Sequence, residues 1–237
     1  MYENASAAEI YDALYQDRKD YDAEAAQVAA LVRERKPGAS TLLDVACGTG
    51  VHLEGFAKRF DKVAGLELSE SMAARATERL SGVPLHHGDM RTFDLGETFD
   101  AVVIMFSSIG YLDTVADLNS AVAAMSRHLA DDGVLVVEPW YFPDTFLDRH
   151  VSTHAVKRGS EGIARVSHST REGDKTRMEI HYLVADGANG IEHRSEVDYL
   201  TLFSPEEYTE AFRQGGLNVT YLEGTAGAPG FFVGTRE

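Results

Sequence analysis

Between residues 10 and 138, short apolar runs alternate with stretches that carry apolar side chains at helical spacing. Runs of this kind, apolar on both faces, belong to a parallel sheet covered by helices on both sides, so an α/β core is expected. Residues 41–46, 62–67, 100–105 and 133–138 read as buried strands and 83–87 as a weaker fifth, each beside Gly, Asp or Ser punctuation. The spacing predicts helices over 23–35, ending before Pro37, over 69–80 with Ser69 as cap, and over 116–129. After Pro139 the period changes from helical to alternating. Ile163, Arg165, Ser167 and Ser169, then Met178, Ile180, Tyr182 and Val184, interrupted by Glu172-Gly173-Asp174, predict antiparallel hairpins within 151–203. Ser204-Pro205-Glu206-Glu207 opens a last helix through Arg213, Gly215-Gly216 closes it, and 219–223 and 231–234 read as two closing strands.

Charge narrows the partners. With 38 acidic against 22 basic residues the net charge is −16, which works against an electrostatic grip on nucleic acid or on an anionic membrane. The hairpin region departs from this balance. Between residues 151 and 184, Lys157, Arg158, Arg165, Arg171, Lys175 and Arg177 face only Glu161, Glu172, Asp174 and Glu179, which suggests either a solvated sheet face or a local anion site. The single cysteine allows no intramolecular disulfide and no cysteine-based zinc site. No run of about 18 apolar residues occurs, and the chain reads as soluble and cytoplasmic.

The strongest chemical signal is Leu42-Leu43-Asp44-Val45-Ala46-Cys47-Gly48-Thr49-Gly50, a buried strand entering a glycine turn that opens a helix at Val51. Only Gly48-x-Gly50 is present, not the full dinucleotide fingerprint, so the turn suits an amino-acid-sized group better than a pyrophosphate. Asp44 is placed to accept from a ligand ammonium. Glu67, at the end of the next strand, is placed to accept from ribose hydroxyls, and Gly88-Asp89-Met90 offers a carboxylate and an apolar side chain to an adenine. Met105-Phe106-Ser107-Ser108 follows the fourth strand. Four strand ends in this order converge on one crevice.

This order resembles the class I methyltransferases that use S-adenosylmethionine. Together with Gly65-Leu66-Glu67-Leu68-Ser69, His87-Gly88-Asp89-Met90-Arg91, Met105-Phe106-Ser107-Ser108-Ile109-Gly110, Val137-Glu138-Pro139-Trp140 and Arg165-Val166-Ser167-His168-Ser169, the chain is similar to the N,N-dimethyltransferases of TDP-linked amino sugars over nearly its whole length. The resemblance implies a Rossmann-like seven-stranded sheet with an inserted antiparallel β-hairpin lid. The S-adenosylmethionine-binding core would be 1–140 and 201–237, and the lid for the sugar nucleotide 141–200. It implies cofactor contacts at Tyr11, Tyr21, Asp44, Ala46, Gly48, Glu67, Asp89, Met90 and Met105. It places substrate contacts at Tyr2, Trp140, Tyr141, Phe142, Arg165 and Ser169, with Tyr2 and Tyr111 orienting the amine. A TDP-amino sugar, 3-amino rather than 4-amino, is the implied partner, in antibiotic sugar biosynthesis, and a homodimer is compatible with it.

Two positions depart from the family pattern. Pro229, in the loop 224–230, stands where the family carries an arginine that contacts the diphosphate, and Tyr111 stands where some relatives have histidine. A phenol, with a reference pKa of about 10, is a weak base at neutral pH. The histidines show no metal-ligand spacing, so no metal is expected. His52 reads as a polar group at a helix start and Cys47 as a small apolar side chain. A small-molecule O-methyltransferase, another N-methyltransferase of secondary metabolism and a non-catalytic S-adenosylmethionine-binding protein stay open as alternatives.

Overall fold

The computed structural model describes residue 10 and residues 12–15, 19–224 and 229–236. Helix α1 (Tyr21–Arg35) starts two residues before the expected position because the Asp20 side chain accepts from the Ala23 N–H. Strand β1 (Thr41–Val45) leads through the glycine turn to α2 (Val51–Ala57). Then follow β2 (Lys62–Glu67), α3 (Glu70–Arg79), β3 (Leu85–His87) and β4 (Phe99–Ile104). A 3-10 turn (Ser108–Tyr111) precedes α4 (Val115–Arg127) and β5 (Leu129–Val137). Strand β5 begins four residues earlier than its apolar run, since its pairing with β4 is shifted after Phe99 and Asp132 takes a left-handed φ of 57°.

Four long strands come next: β6 (His150–Arg158), β7 (Glu161–Glu172), β8 (Lys175–Asp186) and β9 (Gly190–Thr201). Helix α5 (Pro205–Gln214) is closed at its start by a capping box between Ser204 and Glu207, and β10 (Leu217–Leu222) and β11 (Phe231–Arg236) end the chain.

The strands form a seven-stranded sheet in the order β10-β11-β5-β4-β1-β2-β3 and a second, four-stranded sheet in the order β6-β7-β8-β9. In the first, β11 runs antiparallel to β5 and β10, and the other pairs are parallel. Both faces of its central strands are buried. Leu43, Val45, Val102 and Ile104 pack with α4 and α5 through Leu118, Tyr208 and Phe212, while Leu42, Ala101 and Val103 pack with α1 and α2 through Val28, Val32 and Phe56. Chain order reverses between β1 and β4, and the carboxyl ends of parallel strands at such a reversal leave a crevice. The second sheet is antiparallel throughout, as its alternating pattern predicts. The N-terminal segment joins the two: Ile10, Ala13 and Leu14 pack on Ile163, Ile180 and Tyr182 of the second sheet. From the same segment, Asp12 accepts from Thr49 Oγ1 in the glycine turn after β1 and from Arg79 Nη2 of α3, beside the first sheet. No helix among the described residues is long and apolar enough to cross a membrane.

Candidate functional site

A cavity of about 1220 Å³ opens at the carboxyl ends of β1, β2 and β4 and is closed on its far side by the second sheet. The backbone is bent where these strands enter it. Ala46 has φ 55°, Phe106 φ 53° and Ser107 φ 58°, a left-handed region that costs non-glycine residues energy and recurs at functional sites. The bend after β4 is held by Glu138, whose Oε2 accepts from the Phe106 N–H at 2.6 Å, and by Ser107 Oγ donating to the Pro139 carbonyl at 2.8 Å. Gly50 caps α2 with φ 79°, and a Cβ there would stand 3.1 Å from the Ala76 Cβ, so glycine brings the turn onto α3.

Asp44 is 1% exposed in the cavity wall, and neither carboxylate oxygen has a hydrogen-bond partner among the described residues. Burial, and next the charge of Glu67, hold its carboxyl well above the usual range. A buried acid with no partner is a group awaiting a donor. Glu67 accepts from the Gly48 N–H through Oε2 at 2.9 Å and from the Ser69 N–H through Oε1 at 2.8 Å, which locks the glycine turn to the end of β2. Each oxygen keeps a second acceptor direction. Ala46, Gly48, Met90 and Met105 complete this wall, and the residues present fit S-adenosylmethionine, with donors wanted at Asp44 and apolar surface at the two methionines.

Asp89 stands apart. Its carboxylate is held by the Arg91 guanidinium, which keeps it below the usual range, and it does not line the cavity although Met90 does. Tyr21 lines the wall edge-on to His52, their ring centroids 4.7 Å apart, and burial keeps its phenol protonated. His52 is therefore more than a polar group at a helix start: it is buried, bonded to Glu24 at 2.8 Å, and part of the wall. Burial, then Asp44, raise the Cys47 thiol well above its ordinary pKa, so it is no nucleophile.

On the opposite side the inner face of the second sheet presents Ser152, Arg165, Ser167, Ser169 and Asp198. Arg165 is 4% exposed. Its Nη1 donates to Ser167 Oγ at 2.9 Å, its Nε is buried without a partner, and no carboxylate pairs with it among the described residues. Trp140 and Tyr141 meet edge to face and both line the cavity. Phe142, expected beside them, corrects that expectation. Its ring is 7% exposed and packs against Tyr208, Tyr221 and Phe232, because an all-carbon ring gains more from the core than from a polar cleft. Pro229 lines the cavity, and the Tyr221 hydroxyl donates to its carbonyl. Tyr2 and Tyr11 lie outside the described residues. Among the described residues no group of three histidine, cysteine or acidic side chains is placed to hold a metal.

Lys19, His52, Glu138 and Asp198 are among the wall residues not legible as site residues. Glu138 carried a signal, an acid at the end of a buried apolar run, in the place Glu67 occupies on β2. Asp198 carried none, because nothing local marks which face of a hairpin strand turns inward.

Residues 42–133 match the family described as a methyltransferase domain. The chain is 55% identical to the dTDP-3-amino-3,4,6-trideoxy-alpha-D-glucopyranose N,N-dimethyltransferase of Streptomyces venezuelae, over 99% of both chains. It is 47% identical to the dTDP-4-amino-2,3,4,6-tetradeoxy-D-glucose N,N-dimethyltransferase of Saccharopolyspora spinosa, over 97% of this chain and 92% of that one. Among solved structures it superposes on S-adenosylmethionine-bound CalS10, an amino pentose methyltransferase of Micromonospora echinaspora involved in calicheamicin biosynthesis. That match has a TM-score of 0.90 and 52% identity over 96% of this chain and 97% of the other. With the strand-end crevice, the second sheet facing it and identity of this degree over the whole length, the chain belongs to the S-adenosylmethionine-dependent N,N-dimethyltransferases of TDP-amino sugars.

Proposed function

We propose that the protein dimethylates the 3-amino group of a TDP-linked deoxysugar for antibiotic biosynthesis. The observation that carries this reading is one cavity with two unlike walls: strand ends with Asp44 on one side, and a sheet with the buried Arg165 on the other, the first without a hydrogen-bond partner and the second without a paired carboxylate among the described residues. The 3-amino position is favoured by the relative at 55% identity, which is named for a 3-amino sugar, against the one at 47%, named for a 4-amino sugar.

S-adenosylmethionine supplies a methyl group on a sulfonium, which departs as a neutral sulfide. Asp44 receives the amino-acid ammonium, Glu67 the ribose hydroxyls, and Met90, Met105, Tyr21 and Ala46 enclose the remainder. Arg165 and Ser169 receive the diphosphate, Trp140 and Tyr141 flank the sugar, and the segment 141–200 serves as the substrate lid. With Pro229 in the place of an arginine, Arg165 carries the main share of anion binding. Orientation in a closed cleft supplies up to about 7–11 kcal/mol of the barrier, so the protein's main task is placement. Product masses from TDP-3-amino and TDP-4-amino sugars test the reading. Two additions of one methyl each on the 3-amino sugar are expected, and transfer only to a hydroxyl or only to the 4-amino sugar would overturn it.

The outer face of the second sheet leaves Val151, Val166, Leu183, Val197 and Tyr199 between 42% and 61% exposed, on registers that share one side. An apolar face of this kind suits a second copy related by a two-fold axis. Light scattering is expected to give a dimer for the wild type and a monomer for the double variant Val166→Glu and Leu183→Glu. A monomeric wild type would remove the dimer.

A further inference from the structure

Tyr111 offers the sugar amine a phenol that burial, and next Asp198, keep protonated far above neutral pH. A protonated phenol orients a nitrogen and takes nothing from it. The group it bonds is a different matter. We infer that Asp198 is the proton acceptor of the reaction: its carboxylate, steadied by the Tyr111 hydroxyl, binds the sugar ammonium and receives the proton that must leave nitrogen in each round. This rests on the reading of the cleft as the amino-sugar site.

The geometry supports it at three points. Asp198 is 3% exposed, on the inner face of β9, and lines the cavity. Tyr111 Oη donates to Asp198 Oδ2 at 3.2 Å, and this bond joins the two walls, because Tyr111 ends the turn that follows Met105 while Asp198 belongs to the second sheet. The pair therefore stands where donor side and substrate side meet. Its position is fixed on both flanks. A Cβ on Gly110 would fall 2.9 Å from the Trp140 Cβ and 3.3 Å from Leu200, and Thr201 Oγ1 donates to the Leu112 carbonyl at 2.6 Å. A group held this firmly is preorganised for the nitrogen it receives.

Among the described residues the charged and titratable groups around Asp198 are Glu196 on its own strand, which accepts from Tyr182 Oη of β8 at 2.7 Å, Arg165 of β7, and Tyr111, itself near Tyr15 of the N-terminal segment. Burial, then Glu196, raise the Asp198 carboxyl to about 6, against the pull of Tyr111 and Arg165. With its pKa near 6 the carboxylate is largely ionised at neutral pH and can attract a substrate cation.

The bookkeeping of atoms is simple. One N–H proton passes to Asp198, the freed lone pair forms the N–C bond, and the electron pair of the broken C–S bond stays on sulfur. The product is a secondary ammonium with a proton to give up, so the same carboxylate, after releasing its proton to water, serves the second round.

Calorimetry without cofactor, comparing a TDP-3-amino sugar with the matching TDP-deoxysugar that lacks the amine, tests the inference. The wild type is expected to bind the amino sugar about tenfold more tightly, and Asp198→Asn to lose that preference while binding the other ligand unchanged. The preference should weaken as pH falls through about 6, where the free enzyme's carboxylate takes up its proton, and Asp198→Asn should show no such step. A preference retained in Asp198→Asn overturns the inference and leaves the reading of the site intact. A wild type that binds neither ligand removes the reading itself. Should Asp198→Asn fail to fold, Tyr111→Phe decides: the hydrogen bond that lowers the Asp198 pKa is gone, so the step should move to higher pH, and an unmoved step overturns the proposal.

Discussion

Glu67→Ala is expected to weaken S-adenosylmethionine binding by about a hundredfold, read as a Kd by calorimetry. Two losses combine. The side chain is 9% exposed, so the bonds proposed to ribose hydroxyls would be made away from bulk water, where hydrogen bonds to a charged group contribute about 1.5–3 kcal/mol. It also holds the turn: with the carboxylate gone, the Gly48 and Ser69 N–H groups lose their acceptor, and the loop that faces the ligand loses its registration on β2. Glu67→Gln, which keeps an acceptor of the same shape, is expected to fall between the two. An unchanged Kd in a folded Glu67→Ala protein would take Glu67 out of the adenosine site.

What the sequence revealed follows from how local each signal is. Strands β1, β2 and β4 stand out because burial on both faces demands an unbroken apolar run, and each leads into a turn with its own residue chemistry. The start of β5 was hidden because Asp131 and Asp132 interrupt the run where the backbone bulges. Asp44 and Glu67 could be read from their positions at strand ends. Asp89 could not be separated from them, since its engagement by Arg91 two residues on is a matter of rotamer. Tyr141 and Phe142 are neighbours in sequence with opposite fates, one in the cleft and one in the core, and only packing tells them apart. The bond from Tyr111 to Asp198 crosses 87 residues and depends on the register of a sheet that alternation alone leaves undetermined.

Arg165 is the second position with a large expected effect. Arg165→Ala should raise the KM for the TDP-amino sugar by about a hundredfold, while the KM for S-adenosylmethionine moves by no more than about twofold. A guanidinium 4% exposed, with Nε lacking a partner and no paired carboxylate among the described residues, has only the longer-range attraction of Asp198 to offset its desolvation in the free protein. Among the described residues its side-chain hydrogen bonds go to Ser167 Oγ at 2.9 Å and to the Met178 sulfur at 3.6 Å, neither of which neutralises it. An anion that enters the cavity meets a fork of donors already aimed and already stripped of water, so little must be paid at the moment of binding. The stability of the variant follows from the same desolvation. Removing a buried charge that has no direct ion pair costs the fold little, so the melting temperature of Arg165→Ala should match or exceed that of the wild type. A purely structural arginine would behave in the opposite way, lowering the melting temperature and raising both KM values together. Arg165→Lys separates charge from shape: a point charge without the planar fork should recover only part of the lost affinity, and full recovery would mean that Arg165 acts on the diphosphate through its field alone.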